Sequence, residues 1–521
     1  MSQKFLTING RLAKVNGGFA AYDPDDPDRY DWYTLTENDV TGGYNAYNRA
    51  YFVSAINTGS EHPNIIFPAT LGGYPTRWNI GLGAFNSNIV RLKFEERTDT
   101  SIYNVLIGDT TSNNNSTLKA IYGIPSMSSA LRIQYTSALE SIDLSCLKRA
   151  SEVLISYNSA LKNVPQLSSD IAGVTSLRNK LWHNAVAVNT KYTIPDNVAE
   201  VDGAFMYNAI SNFTFDESWD HATSYNSAIG NNPITEITFS PSMTGTVDNA
   251  WAGGTIGGGT WFDMVRTTRS GNILHGSAYS AAPVKVRCAY GSPIYKKLRY
   301  AQASQNYMMR NLRLELIDSH SLKNISFWGD SLTRRNESTT IQSNMVEHFY
   351  NWTADDVWCW NEGHGGSGSG TTFPKDYGCQ EARWGDDVHV IWIGTNDTIL
   401  TEAQTIANIQ TMITTCGFNN NFIVLQPFGW GYASENEALY EAAFPGITIN
   451  THRYIIEHGF EVLGREPTAE EQAQLDNNTI PDVFVDTSDM THITDSGGLC
   501  IATAVKDKLL ALGYITNSWL A

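Results

Sequence analysis

Phe327-Trp328-Gly329-Asp330-Ser331-Leu332-Thr333 runs from apolar residues into a glycine, an acid and a serine. A strand ending in such a turn lifts its serine out of the packed sheet, where the hydroxyl can meet a substrate. A neutral serine is a poor nucleophile and needs a base within hydrogen-bond reach. Among the eleven histidines, His492 is the most promising, because Asp489 lies three residues before it. That spacing can bring carboxylate and imidazole together across one tight turn, where the acid would hold the ring's tautomer and stabilise the imidazolium. Acyl transfer also needs donors aimed at the developing oxyanion. Asn361-Glu362-Gly363-His364-Gly365-Gly366-Ser367 offers backbone N–H groups on a glycine-rich stretch, and Gly394-Thr395-Asn396-Asp397 offers the amide of Asn396. Each segment alone reads as an ordinary loop; the order of all four carries the signal.

The elements that must position them alternate. Apolar runs at 324–328, 355–360, 387–393 and 421–427 predict strands, and amphipathic stretches at 339–351, 402–415, 447–458 and 496–512 predict helices. That alternation reads as a parallel sheet with helices on both faces. Ligands in such folds bind at the carboxyl ends of strands, where the serine, glycine and asparagine segments fall.

The four blocks together resemble the GDSL/SGNH hydrolases across 323–521. The resemblance implies a flavodoxin-like α/β/α domain in which Ser331, His492 and Asp489 are catalytic, and Ser331, Gly366 and Asn396 form the oxyanion hole. Thr395 stands where that family often has glycine, a position that is not itself a donor. Asp330, Asp397, His364 and Trp430 are candidate substrate contacts, although a loop histidine is the plainer reading of His364. Trp328, Trp360, Trp392 and Tyr432 also lie near these segments; aromatic faces stack on sugar rings, but several of these must be core. No metal-binding or phosphate-cradling motif occurs, so neither metal nor cofactor is expected.

Ahead of this domain the chain repeats itself. Tyr135-Thr-Ser-Ala-Leu139 matches Tyr157-Asn-Ser-Ala-Leu161 and Tyr225-Asn-Ser-Ala-Ile229, and Gly83-Ala84-Phe85 returns as Gly203-Ala204-Phe205. A period in the low twenties with a short strand per turn predicts a solenoid whose asparagines bond free backbone groups in the bends. Ile194-Pro195-Asp196-Asn197-Val198 through Phe205 resembles the leucine-rich repeats of bacterial surface antigens, the BspA-like kind, which implies a surface for binding or a spacer. The expected division is a β-rich segment at 1–75 with an Asn9-Gly10 hairpin signal and a turn-rich loop at 23–28, a solenoid at 76–290, a helical linker at 291–322 with its helix around Tyr295 to Leu316, and the hydrolase domain at 323–521.

The net charge of −18 repels nucleic acid and anionic membranes, which are discounted as partners. The six cysteines form no C-x-x-C pair, no apolar run approaches a membrane span, and the opening residues lack the apolar core of a secretory signal. Phe5 to Gly18 looks like the leaders of phage tail proteins, and such proteins are commonly trimers. The combined expectation is a serine esterase removing O-acetyl groups from a bacterial surface polysaccharide, as a virion tail component beside other virion proteins, or as a bacterial extracellular enzyme. The alternative is a receptor-binding virion protein with a non-catalytic hydrolase-like module.

Overall fold

The computed structural model describes residues 5–8, 11–14, 30–58, 61–80, 88–97, 104–108, 116–163, 165–182, 184, 190–223, 228–229, 232, 235–244, 284–303, 312–333, 344–363, 366–370, 388–418, 420–427, 434–488 and 491–521. The expected loop at 23–28 and the repeat segments at 83–87 and 225–227 lie outside these residues. The chain divides into two compact units, Met1–Ile210 and Ser211–Ala521.

In the first unit, Phe5–Ile8 pairs antiparallel with Arg11–Lys14. Further on, the chain alternates between two parallel sheets. Arg91–Phe94, Ala120–Tyr122 and Ser141–Ile142 are neighbours in one; Val105–Ile107, Ala130–Gln134 and Glu152–Ser156 form the other. Alternate side chains point inward, so Leu92, Ile107, Leu131, Ile133, Val153 and Ile155 have no exposure. The bends are held by a ladder of buried asparagines. Asn158 Oδ1 accepts from Thr136 N–H at 3.1 Å, Asn184 Oδ1 from Asn158 N–H at 3.1 Å, and Asn208 Oδ1 from Asn184 N–H at 2.8 Å. Each asparagine also donates to a carbonyl of an earlier turn: Asn158 to Ile133, Asn184 to Ile155, Asn208 to Leu181. Every rung thus satisfies backbone groups that burial would otherwise leave unpaired.

The second unit opens on another parallel sheet containing Asn212–Phe215, Glu236–Phe239, Val284–Cys288 and Leu312–Leu316. Among the described residues the helix expected through Leu316 covers Pro293–Ala303, and Leu312–Leu316 is a strand. Its apolar–charged alternation suits a half-buried edge, and Glu315 meets Lys285 at 3.0 Å and Arg287 at 3.5 Å on the neighbouring strand.

The remaining elements are β1 (Lys323–Gly329), α1 (Met345–Asn351), β2 (Val357–Gly363), β3 (Val388–Trp392), α2 (Glu402–Cys416), β4 (Phe422–Leu425), α3 (Ser434–Ala443), β5 (Thr448–Ile449), α4 (Thr451–Leu463), α5 (Ala469–Asp476) and α6 (Asp495–Ala511). All five strands run parallel in the order β2-β1-β3-β4-β5. One face buries Phe327, Cys359, Val390 and Leu425 against Phe349 of α1, Ile455 of α4 and Ile501 of α6. On the other, Phe418, just past the end of α2, packs on Trp328 and His389. With both faces covered, the strands are mostly apolar, and their few inner polar residues, Ser326, Asn361 and His389 among them, are buried with them. Cys416 is disulfide-bonded to a partner outside the described residues, while Cys146, Cys288, Cys359 and Cys500 are free. Among the described residues no helix is long and apolar enough to cross a membrane.

Candidate functional site

The order of the strands reverses at β1, so the chains leaving β1, β2 and β3 diverge at the sheet's carboxyl edge and open a crevice there. Register sets them level: Gly329 is opposite both Gly363 and Trp392. Ser331 therefore emerges beside the segment carrying Gly366 and the turn carrying Asn396.

The turn after β1 is tight. A Cβ on Gly329 would lie 2.0 Å from Thr333 Oγ1 and 2.2 Å from Trp392 O, so no larger residue fits. Leu332 N–H donates to Asp330 Oδ1 at 3.0 Å, closing the turn around Ser331. Asn361, fully buried at the end of β2, donates to Thr333 O at 3.2 Å and Ala303 O at 3.1 Å, tying the turn to its neighbour strand.

His492 arrives from the other end of the domain. An antiparallel bridge between Val485 and Ile493 closes its loop at the base. Asp486 N–H donates to His492 O at 2.7 Å and Thr494 N–H to Phe484 O at 3.1 Å. Thr494 then caps α6, accepting from Gly497 N–H. These bonds hold the half-buried imidazole with Nε2 at 2.8 Å from Ser331 Oγ. With the ring's proton on Nδ1, the serine hydroxyl donates to Nε2, the arrangement a general base requires. Asp489, the expected orienting acid, lies outside the described residues, as do His364 and Trp430.

Gly366, at φ +77°, is exposed. Asn396 is exposed too, and its Nδ2 donates to Ser367 O at 3.0 Å, bringing the two expected oxyanion segments into contact. The structure thus joins Ser331 to His492, and Asn396 to the residue beside Gly366.

Two other candidates face inward. Asp330 is fully buried, and the bond from Leu332 N–H folds its carboxylate back onto the turn. Burial pushes its carboxyl up to about 7, against the opposing pull of the Leu332 and Thr395 groups and His492. Thr395, on the turn after β3, lies near enough to lower that value. The carboxylate of Asp397 is engaged by Ser369 and Thr405. Trp328, Trp360 and Trp392 are buried at 3% exposure or less, which makes them core and not platforms for a sugar.

Sequence reasoning missed Asn361, Ser369 and Thr405 as site-shaping residues. Asn361 stood in the glycine-rich motif, so its position was visible, but its tie to Thr333 crosses strands. Among the described residues no three His, Cys, Asp or Glu side chains gather as a metal would require. No protein-family model matches the chain, and neither does any curated protein.

Proposed function

We propose that this protein is a serine esterase of the SGNH type that removes O-acetyl groups from a carbohydrate, a bacterial surface polysaccharide being the favoured substrate. The contact between Ser331 Oγ and His492 Nε2 at 2.8 Å carries the proposal. Ser331 Oγ attacks the acetyl carbonyl as His492 Nε2 takes its proton. The carbonyl π electrons move to oxygen, where Ser331 N–H, Gly366 N–H and the Asn396 amide receive the charge. Collapse breaks the bond to the sugar oxygen, which leaves with the proton from His492. A water, deprotonated by the same imidazole, then attacks the acyl-serine and releases acetate, returning the proton to Ser331. The group expected to orient His492 is Asp489.

The strand order β2-β1-β3-β4-β5 supports a flavodoxin-like SGNH domain. The asparagine ladder and the paired parallel sheets support a leucine-rich-repeat solenoid, which would present the glycan or act as a spacer. The disulfide at Cys416 fits an oxidising setting, such as an extracellular virion tail or cell surface. Incubation with p-nitrophenyl acetate and with acetylated polysaccharide, alongside Ser331→Ala, tests the reading. Serine-dependent acetate release is expected. Its absence would leave the non-catalytic, receptor-binding module as the better account.

A further inference from the structure

We infer that Asp397 is a positioning residue that clamps the Gly366 loop to the Asn396 turn and so sets the spacing of the two oxyanion donors. The inference rests on the esterase reading above. The two segments leave β2 and β3, which flank β1 on opposite sides. Their roots are two strand spacings apart, about 10 Å. Donors on both can converge on one oxygen only if the segments lean together over the end of β1.

Asp397 supplies the lean. Its Oδ1 accepts from Ser369 N–H at 2.8 Å, and its Oδ2 accepts from the Ser369 hydroxyl and from Thr405 Oγ1 at 2.8 Å. Ser369 Oγ in turn accepts from Asn408 Nδ2 at 3.1 Å. Thr405 and Asn408 belong to α2, so the clamp is anchored on a regular helix rather than on another loop. Its approach demands a bare backbone: a Cβ on Gly368 would stand 2.5 Å from Asp397 Oδ1. The adjacent Asn396 closes the same gap through Ser367 O. Asn396 has two amide hydrogens, and giving one to the loop fixes the direction of the other. A carboxylate suits the clamp because it only accepts, and its three donors are an N–H and two hydroxyls. It would be a poor neighbour for an oxyanion if it pointed at the substrate, and these donors hold it toward the scaffold.

The test is a double-mutant cycle of Asp397→Asn and Asn396→Ala, read as kcat and KM for p-nitrophenyl acetate, with folding checked by circular dichroism. An amide in place of the carboxylate would turn N–H groups toward donors. Asp397→Asn is expected to lower kcat about 10- to 100-fold with KM nearly unchanged, the signature of a misplaced oxyanion donor. In the Asn396→Ala background the same change should have a clearly smaller effect, because one of the donors it positions is already gone. Wild-type kcat in Asp397→Asn, a loss confined to KM, or fully additive losses would overturn the inference while leaving the esterase reading intact. If Asp397→Asn does not fold, Thr405→Val removes one donor to the same carboxylate. It is judged by the same cycle, with a kcat loss of several-fold expected and an unchanged kcat overturning the clamp. No Ser331-dependent turnover in the wild type would overturn both.

Discussion

Ser331 and His492 are 161 residues apart in the chain and 2.8 Å apart in space. If the proposed esterase reading holds, replacing either by alanine should lower turnover by at least about 10³-fold, since a nucleophile and its base act as a unit; steady-state kinetics on p-nitrophenyl acetate checks this. Asp330 offers a separate test through pH. Its carboxyl titrates at about 7 in the fold, against about 3.9 in an unfolded chain. Between these values the folded state holds one more proton, so stability falls as pH rises through the window, by up to about 4 kcal/mol. Asp330→Asn should remove that decline, seen as a flatter urea midpoint between pH 5 and 8. The types and order of Ser331, Gly366, Asn396 and His492 were legible because each sits in a short motif where a strand ends or a helix begins. The inward turn of Asp330 was not, because it follows from how the turn packs, and sequence shows only an acid next to a serine.

At the scale of elements, β1 and β3 are joined by side chains as well as by backbone. Trp328 Nε1–H donates to Ser326 Oγ at 2.7 Å, and Ser326 Oγ in turn meets His389 Nδ1 across the two strands at 2.6 Å. The His389 ring is stacked on Phe418, and its Nε2 has no hydrogen-bond partner. Burial pushes its pKa down to about 4. The unfolded histidine binds a proton below about 6.5. Between pH 6.5 and 4 the unfolded state therefore holds more protons, and stability is lost as pH falls, by up to about 3 kcal/mol. His389→Gln should flatten this acid limb in urea titrations. Gly329→Ala should unseat the turn and abolish turnover, since its new methyl meets the backbone of β3. The apolar runs showed where these strands lie. They could not show a histidine bridging two of them, because a buried strand's pattern says nothing of what its rare polar residues face. Leu312–Leu316 was misread for a related reason: its alternation was plain, but it followed a helix and its partner strand lay far back in the sequence.

For the whole molecule, two compact units suggest separable tasks. Asn158→Ala lies in the first. It would strand Thr136 N–H and Ile133 C=O in the interior, at about 1–3 kcal/mol each. Urea unfolding should register that loss while turnover at Ser331, in the second unit, stays at the wild-type rate. Asn158 stands in a recurring Tyr-Asn-Ser-Ala segment, so its rung was legible, whereas Asn184 and Asn208 stand outside such segments and the rungs are unevenly spaced. They fall 22, 26 and 24 residues apart. That unevenness has an evolutionary meaning. The ladder constrains only one residue per turn, so the chain between rungs can lengthen or shorten without throwing later turns out of phase. A lineage could thus vary the segments between rungs by small insertions, while a single lost rung would be far harder to tolerate.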